Sequence, residues 1–275
     1  MKKVFVFDPD RCNGCLCCQI SCKDEHCDND WSPYARPQPD IGHFWLKIQE
    51  EIRGQVPKVM ITYMARLCQH CDNPPCEKVC RQNAFERRED GLLLINSELC
   101  DGCLACVEAC PYDAIFSNSD LGIVQKCTGC AHLLDSGWEV PRCVDSCSHG
   151  ALRFGDESDF ADEIARAEAL IPGNDHSPHV YYLNLPKRFI GGIIVDIEQD
   201  EVLAGARITL ENKKTGEISL CNSDCFGDFW FKQIEASEYC LYVEYKGYLT
   251  RMIEVSTLEE DKNVGPIVLY KSIAA

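Results

Sequence analysis

Residues 12–22 read Cys12-Asn13-Gly14-Cys15-Leu16-Cys17-Cys18-Gln19-Ile20-Ser21-Cys22, and residues 100–111 return to the same spacing as Cys100-Asp101-Gly102-Cys103-Leu104-Ala105-Cys106-Val107-Glu108-Ala109-Cys110-Pro111. A C-x2-C-x2-C run wraps three thiolates around one corner of an iron–sulfur cubane, and the cysteine three residues further on ligates a different cluster. Two more groups, Cys68, Cys71, Cys76, Cys80 and Cys127, Cys130, Cys143, Cys147, vary the opening but keep the closing C-x3-C. Sixteen of the 21 cysteines sit in these four groups, too many in register to be lone buried thiols. Structural zinc sites use paired cysteines without this third and fourth spacing. Cysteines two residues apart on a tight loop are poor disulfide partners for each other.

Composition narrows the class. A net charge of -17 over 275 residues disfavours nucleic acid and anionic membrane surfaces as partners. No stretch approaches the roughly 18 apolar residues of a spanning helix, so no direct membrane contact is expected. The opening MKKVFVFDPD carries no apolar signal stretch, so a cytoplasmic location is expected. This many thiols suggest reducing, anaerobic or microaerobic surroundings.

The expected fold class is α+β: tandem ferredoxin-like cluster modules over 1–155, a helix and linker over 156–187, and a seven-stranded antiparallel β-sandwich or barrel over 188–275. Lys3 to Phe7 and Gly91 to Ile95 read as short strands leading into cysteine loops, and a further strand is expected over 58–63. Between the first two groups, Trp31, Pro33, Pro37, Pro39 and Trp45 read as a segment that wraps a cluster or meets a partner. Phe160, Ile164, Ala167 and Ile171 fall on one helical face, with Ser158 or Asp159 as cap. The last domain shows strands expected over 189–197, 206–211, 217–221, 228–232, 238–245, 249–255 and 266–270, with turn signals between them.

In a two-cluster ferredoxin the loops exchange their fourth ligand. Nesting the four groups on that rule gives four ligand sets: Cys12, Cys15, Cys18 with Cys147; Cys22 with Cys127, Cys130, Cys143; Cys68, Cys71, Cys76 with Cys110; and Cys80 with Cys100, Cys103, Cys106. Each iron is then fully ligated, and the chemistry is electron transfer, with no open position for Lewis-acid catalysis. Gly14, Gly102 and Gly129 suit tight loops whose amides point inward. His70 and His149 adjoin ligands and are expected to be exposed or supporting. Cys17, Cys27, Cys221, Cys225 and Cys240 are out of register and are expected not to bind iron. No nucleotide-binding glycine motif, nucleophile–histidine–acid set or other catalytic centre is evident.

Cys68-Gln69-His70-Cys71-Asp72-Asn73-Pro74-Pro75-Cys76-Glu77-Lys78-Val79-Cys80, with Gly102-Cys103, Lys126-Cys127-Thr128-Gly129-Cys130 and Pro141-Arg142-Cys143, resembles the iron–sulfur subunit of the dimethyl sulfoxide reductase family of molybdenum enzymes. The resemblance covers residues 1 to about 155. It implies four [4Fe-4S] clusters in a row beside a large catalytic subunit that holds the molybdopterin, as a heterodimer or higher assembly, with no catalytic residue on this chain. Arg81 and Ser148 depart from the proline common after the fourth cysteine. Downstream, Gly191-Gly192-Ile193-Ile194-Val195-Asp196, Leu203-Ala204-Gly205-Ala206, Thr215-Gly216 and Tyr245-Lys246-Gly247-Tyr248 resemble a transthyretin-like or carboxypeptidase-regulatory sandwich. The pair of domains is similar to the transhydroxylase branch of that family, which moves a hydroxyl between phenols. That branch is associated with three cubanes, whereas the ligand count here gives four. A free polyferredoxin carrier and a purely structural role for the clusters are the competing expectations.

Overall fold

The computed structural model describes residues 1–272, which divide into two compact units: residues 1–51 with 62–185, and residues 52–61 with 186–272. Among the described residues no helix is long and apolar enough to cross a membrane.

In the first unit the strand Lys3–Phe7 is central. It pairs antiparallel with Leu152–Asp156 (Lys3 opposite Asp156) and parallel with Val180–Tyr182 (Phe5 opposite Val180). Val4, Phe5, Val6 and Phe7 are all buried, which explains why the stretch is continuously apolar instead of alternating. Two short antiparallel hairpins, Phe85–Arg87 with Leu93–Ile95 and Ile115–Asn118 with Ile123–Lys126, carry the inner cysteine loops. Short helices follow the cysteine runs at Cys17–His26, Pro75–Lys78, Ala105–Ala109 and Arg142–Asp145. The core mixes Phe5, Phe7, Trp45, Leu67, Leu152 and Tyr182 with buried cysteines, so sulfur occupies positions that a larger protein would fill with leucine.

Three expectations change here. The helix expected over Phe160, Ile164, Ala167 and Ile171 is not one helix; the strand Leu152–Asp156, paired with Lys3–Phe7, runs up to its start. Only a 3-10 turn, Glu157–Phe160, and a single helical turn, Ala161–Ile164, follow. Asp156, not Ser158 or Asp159, is the cap, with Asp159 completing a capping box. Inside the expected linker, Val180, Tyr182 and Leu183 are buried in the first unit. The strand expected over 58–63 is one arm of a longer hairpin, Leu46–Gln55 with Lys58–Leu67.

The second unit is a sandwich of two four-stranded sheets. One is Arg188–Asp196 with Glu201–Val202, Asp228–Ile234 and Lys262–Val268 on it; the other runs Ile218–Asn222, Arg207–Asn212, Glu238–Glu244, Arg251–Ser256 in spatial order. All seven expected strands have a counterpart, and Glu201–Val202 makes an eighth. The sheet is not wholly antiparallel: Lys262–Val268 lies parallel to Arg188–Asp196, because it arrives by crossover from the other sheet and not through a hairpin. Alternating Ile208/Leu210, Phe229/Phe231 and Leu241/Val243 fill the space between the sheets. The hairpin tip belongs to this unit, held by Lys58 against Asp228 at 2.5 Å and Arg53 against Asp261 at 3.6 Å. Phe229 is 1% exposed and edge-on to Phe231. Phe229→Ala is expected to destabilise the sandwich by about 3–5 kcal/mol, read as a lower denaturation midpoint for this unit in the full chain.

Candidate cluster-binding sites

The fold brings the sixteen grouped cysteines into four quartets. Cys12, Cys15, Cys18 and Cys147 line one small cavity, closed by Phe7, Ile48 and Leu152. Cys80, Cys100, Cys103 and Cys106 line another, closed by Phe85, Ile95 and Val124. Between them, Cys22 lies beside Cys127 and Cys130, and Cys143 beside Cys130, Cys22 and Cys127. Cys71 and Cys76 lie beside Cys68 and Cys110. We number these quartets first (12, 15, 18, 147), second (22, 127, 130, 143), third (68, 71, 76, 110) and fourth (80, 100, 103, 106). They adjoin in that order: Cys143 senses Cys18 of the first, and Cys127 senses Cys68 of the third.

Helical geometry makes the links. Cys18 and Cys22 stand four residues apart on the helix Cys17–His26, so one face serves both the first and second quartets. Cys106 with Cys110 and Cys76 with Cys80 bridge the third and fourth, Cys110 and Cys80 lying just past the ends of the short helices Ala105–Ala109 and Pro75–Lys78. The first and last C-x2-C-x2-C loops share a backbone: Gly14 and Leu16 have φ of 71° and 62°, Gly102 and Leu104 have 68° and 64°. In each, the side chain after the first cysteine turns back on the loop, Asn13 Oδ1 accepting from Cys15 N and Asp101 Oδ1 from Cys103 N, both at 3.2 Å. The left-handed leucines were not foreseen, because only glycine advertises that conformation in a sequence.

Gly102 is the tightest of these positions. A Cβ there would run into the Gly122 carbonyl oxygen, in a conformation that already costs an L-residue about 1–2 kcal/mol. Gly102→Ala is therefore expected to lose the fourth site, seen as a fall of about four iron atoms per chain. Gly137→Ala carries the same backbone penalty with nothing within 4 Å, and should keep its iron.

Burial decides the state of the thiols at the centre of these quartets. Burial pushes the thiols of Cys18, Cys71, Cys76 and Cys130 up to about 12 and those of Cys106 and Cys127 up to about 11, reinforced by neighbouring cysteines. Cys22 and Cys143 are driven well above the ordinary range by the same burial. Four thiols so crowded ionise only around a metal core. Backbone amides already point at the sulfurs: Gly129 N to Cys127 Sγ and Leu152 N to Cys147 Sγ at 3.3 Å, Ala84 N to Cys80 Sγ at 3.4 Å, and His70 N to Cys68 Sγ at 3.5 Å. Lys126, 2% exposed, gives its ammonium to the carbonyls of Leu93 and of Cys127 and has no carboxylate within ion-pair distance among the described residues. A buried cation balanced only by thiolates fits anionic clusters on either side. The donor sets thus fit all-thiolate iron–sulfur clusters, which supply one-electron transfer when bound.

Other side chains fall as follows. His70 is fully buried and its Nδ1 accepts from Leu93 N at 3.1 Å, so it supports the third quartet's loop. His149 is on the surface, 3.2 Å from Asn13 Nδ2 at the mouth of the first cavity. Cys17 Sγ turns to the Cys15 carbonyl at the edge of the first quartet, beside Cys15 and Cys147, and Cys27 Sγ turns to Asp40. Cys221, Cys225 and Cys240 are free thiols in the second unit. Lys126 and His26 were missed as supporting residues, although both lie within four residues of a ligand.

Comparison with known proteins agrees with this geometry. Residues 59–157 match a family model described as a 4Fe-4S dicluster domain, and residues 190–268 match a carboxypeptidase regulatory-like domain. A tetrathionate reductase subunit of Salmonella typhimurium is 38% identical over 197 residues, covering 69% of this chain and 75% of that protein. The pyrogallol hydroxytransferase small subunit of Pelobacter acidigallici is 33% identical over 254 residues, 88% of this chain and 90% of its own. A component of the anaerobic dimethyl sulfoxide reductase of Haemophilus influenzae is 33% identical over 168 residues, 61% and 80% respectively. With the quartets, the dicluster match and relatives of this coverage together, the protein belongs to the 4Fe-4S electron-transfer subunits of the dimethyl sulfoxide reductase family of molybdenum enzymes.

Proposed function

We propose that this chain holds four [4Fe-4S] clusters and conducts electrons to or from a large molybdopterin-containing catalytic subunit. The ligands are Cys12, Cys15, Cys18 and Cys147 for the first cluster; Cys22, Cys127, Cys130 and Cys143 for the second; Cys68, Cys71, Cys76 and Cys110 for the third; Cys80, Cys100, Cys103 and Cys106 for the fourth. One observation carries the reading: the quartets adjoin in series, and the exposed thiols among the sixteen, Cys15 and Cys103, belong to the two end quartets. A wire needs that layout, with terminals open to partners and a dry middle. Iron and acid-labile sulfide analysis tests it. About sixteen irons per chain are expected. About twelve would leave one quartet empty.

The finer reading is the small subunit of a pyrogallol–phloroglucinol type transhydroxylase. It is supported by the relative from Pelobacter acidigallici, whose match extends over 88% of the chain and so beyond the cluster unit into the transthyretin-like sandwich. A subunit of another molybdenum or tungsten reductase is the alternative, favoured by the tetrathionate reductase relative's higher identity over a shorter span. Co-purification with a large molybdopterin protein, followed by phenol and tetrathionate assays of the complex, separates the two. Recovery of this chain alone, with no molybdopterin partner, would instead identify a free polyferredoxin. Moving a hydroxyl between phenols involves no net electron transfer. On the transhydroxylase reading, Cys15→Ser in an assembled complex should leave steady turnover nearly intact while slowing reductive activation.

A further inference from the structure

The helix Cys17–His26 buries Cys18, Cys22 and His26, spaced four residues apart along one face. Cys18 belongs to the first quartet and Cys22 to the second, so His26 continues that face towards the second. Its Nε2 lies 3.8 Å from Cys130 Sγ, within reach of a hydrogen bond to sulfur. The ring is 1% exposed, packed 4.5 Å from Trp45 and edge-on to His132 at 5.3 Å. His132 is fixed in turn by Glu25, 3.0 Å from its Nε2, and by stacking on Trp31 at 4.4 Å. Nothing in this packing lets the His26 ring turn away from the sulfur.

The tautomer follows from the surroundings. Nδ1 is buried with no hydrogen-bond partner. A proton there would be an orphaned donor, and the bare Nε2 lone pair would face a sulfur that carries negative charge once ligated. A proton on Nε2 removes both penalties and leaves only an unused acceptor.

We infer that His26 is a positioning residue for the second cluster, donating Nε2–H to Cys130 Sγ and thereby raising that cluster's reduction potential relative to an undonated sulfur. The inference rests on the ligand assignment proposed for the second quartet. Hydrogen bonds to cluster sulfurs stabilise the reduced, more negative state. The bonds to Cys68, Cys80, Cys127 and Cys147 come from backbone amides, which substitution does not remove, whereas this one is made by a side chain.

The test is an anaerobic redox titration followed by EPR on iron-loaded full-length chain. His26→Phe keeps a ring of similar size without the donor; His26→Gln keeps a donor. His26→Phe should hold wild-type iron and shift one cluster to more negative potential with the other three unmoved, and His26→Gln should recover part of the shift. Wild-type potentials in His26→Phe at full iron overturn this inference alone, as does an equal shift in both variants. A wild-type chain lacking the second cluster overturns the ligand assignment as well. Should His26→Phe lose iron, wild-type protein carrying ring-15N histidine decides the matter. Nitrogen coupling on the cluster signal that His26→Gln perturbs supports the bond, and its absence overturns it.

Discussion

Stripping iron with a chelator under anaerobic, reducing conditions is expected to unfold residues 1–51 and 62–185 while leaving the sandwich of residues 52–61 and 186–272 folded. The two units have separate cores, and they differ in what fills them. In the sandwich, fourteen buried apolar side chains meet between the sheets and no cluster ligand is among them. In the first unit, Cys18, Cys22, Cys68, Cys127 and Cys143 are themselves core residues, and a second small cluster of side chains leans on Cys76 and Cys106. Without iron, those positions are thiols facing one another across cavities, and the short helices and three- and four-residue pairings around them have little else to hold them. Metal binding free energy is then folding free energy, as in other small metal-dependent domains. The sign of the pH effect follows from the thiols. Burial raises Cys18, Cys71, Cys76 and Cys130 to about 12, so they are protonated at neutral pH until iron displaces the protons. Loading therefore releases protons, and iron is held less tightly as pH falls. Hydrogen exchange read peptide by peptide checks the prediction. Protection should collapse in the first unit and persist across Arg188–Asp196, Arg207–Asn212 and Glu238–Glu244. Unchanged protection over Lys3–Phe7 and Leu152–Asp156 would show that the first unit folds on its apolar core alone.

The quartets were legible because ligand spacing is local chemistry: a C-x2-C-x2-C loop must close on something within a few ångströms, whatever surrounds it. The nested arrangement was readable from a rule of two-cluster ferredoxins, in which the fourth cysteine of each run joins the other loop's ligands. Strands of the sandwich were readable from alternation, as at Leu241 and Val243. What failed was set at long range. Val180–Tyr182 hides in a segment of prolines and polar residues and becomes a strand only by pairing with Lys3–Phe7 at the other end of the unit. Phe160, Ile164, Ala167 and Ile171 keep helical spacing, yet the strand pairing upstream and the bridge between Glu168 and Tyr182 leave room for one turn only. The arm Leu46–Gln55 was obscured by its charged outer face, although Leu46 and Ile48 alternate with Lys47 and Gln49 in the expected way. Burial of a polar side chain is the least readable property, and His26, His70 and Lys126 are among its cases here.

Lys126→Met is expected to cost the inner part of the wire. The lysine closes the strand Ile123–Lys126 immediately before Cys127, and its burial follows from that strand's, all four residues being buried. Its charge is sensed by Cys127 of the second quartet and by Cys76 of the third, lowering both thiols against the rise that burial imposes. Methionine fills the same space without charge or donors, so two buried carbonyls lose their partner and two anionic centres lose their common counter-charge. Removing one side of a buried charge arrangement typically costs about 3–5 kcal/mol. The sign of the redox effect is fixed by electrostatics: an electron added near a lost positive charge is less welcome, so both inner clusters should move to more negative potential. A unit charge several ångströms away at an effective dielectric of about 20 is worth about 1–4 kcal/mol, enough to stall transfer between the outer clusters. Lys126→Arg keeps the charge and should retain the potentials even where its larger head disturbs packing. EPR-monitored titration of the iron-loaded chain separates the effects, because the outer clusters serve as internal controls. Inner potentials unchanged in Lys126→Met would mean that the ammonium answers only to the backbone carbonyls, and that the charge balance of the wire lies in its amides alone.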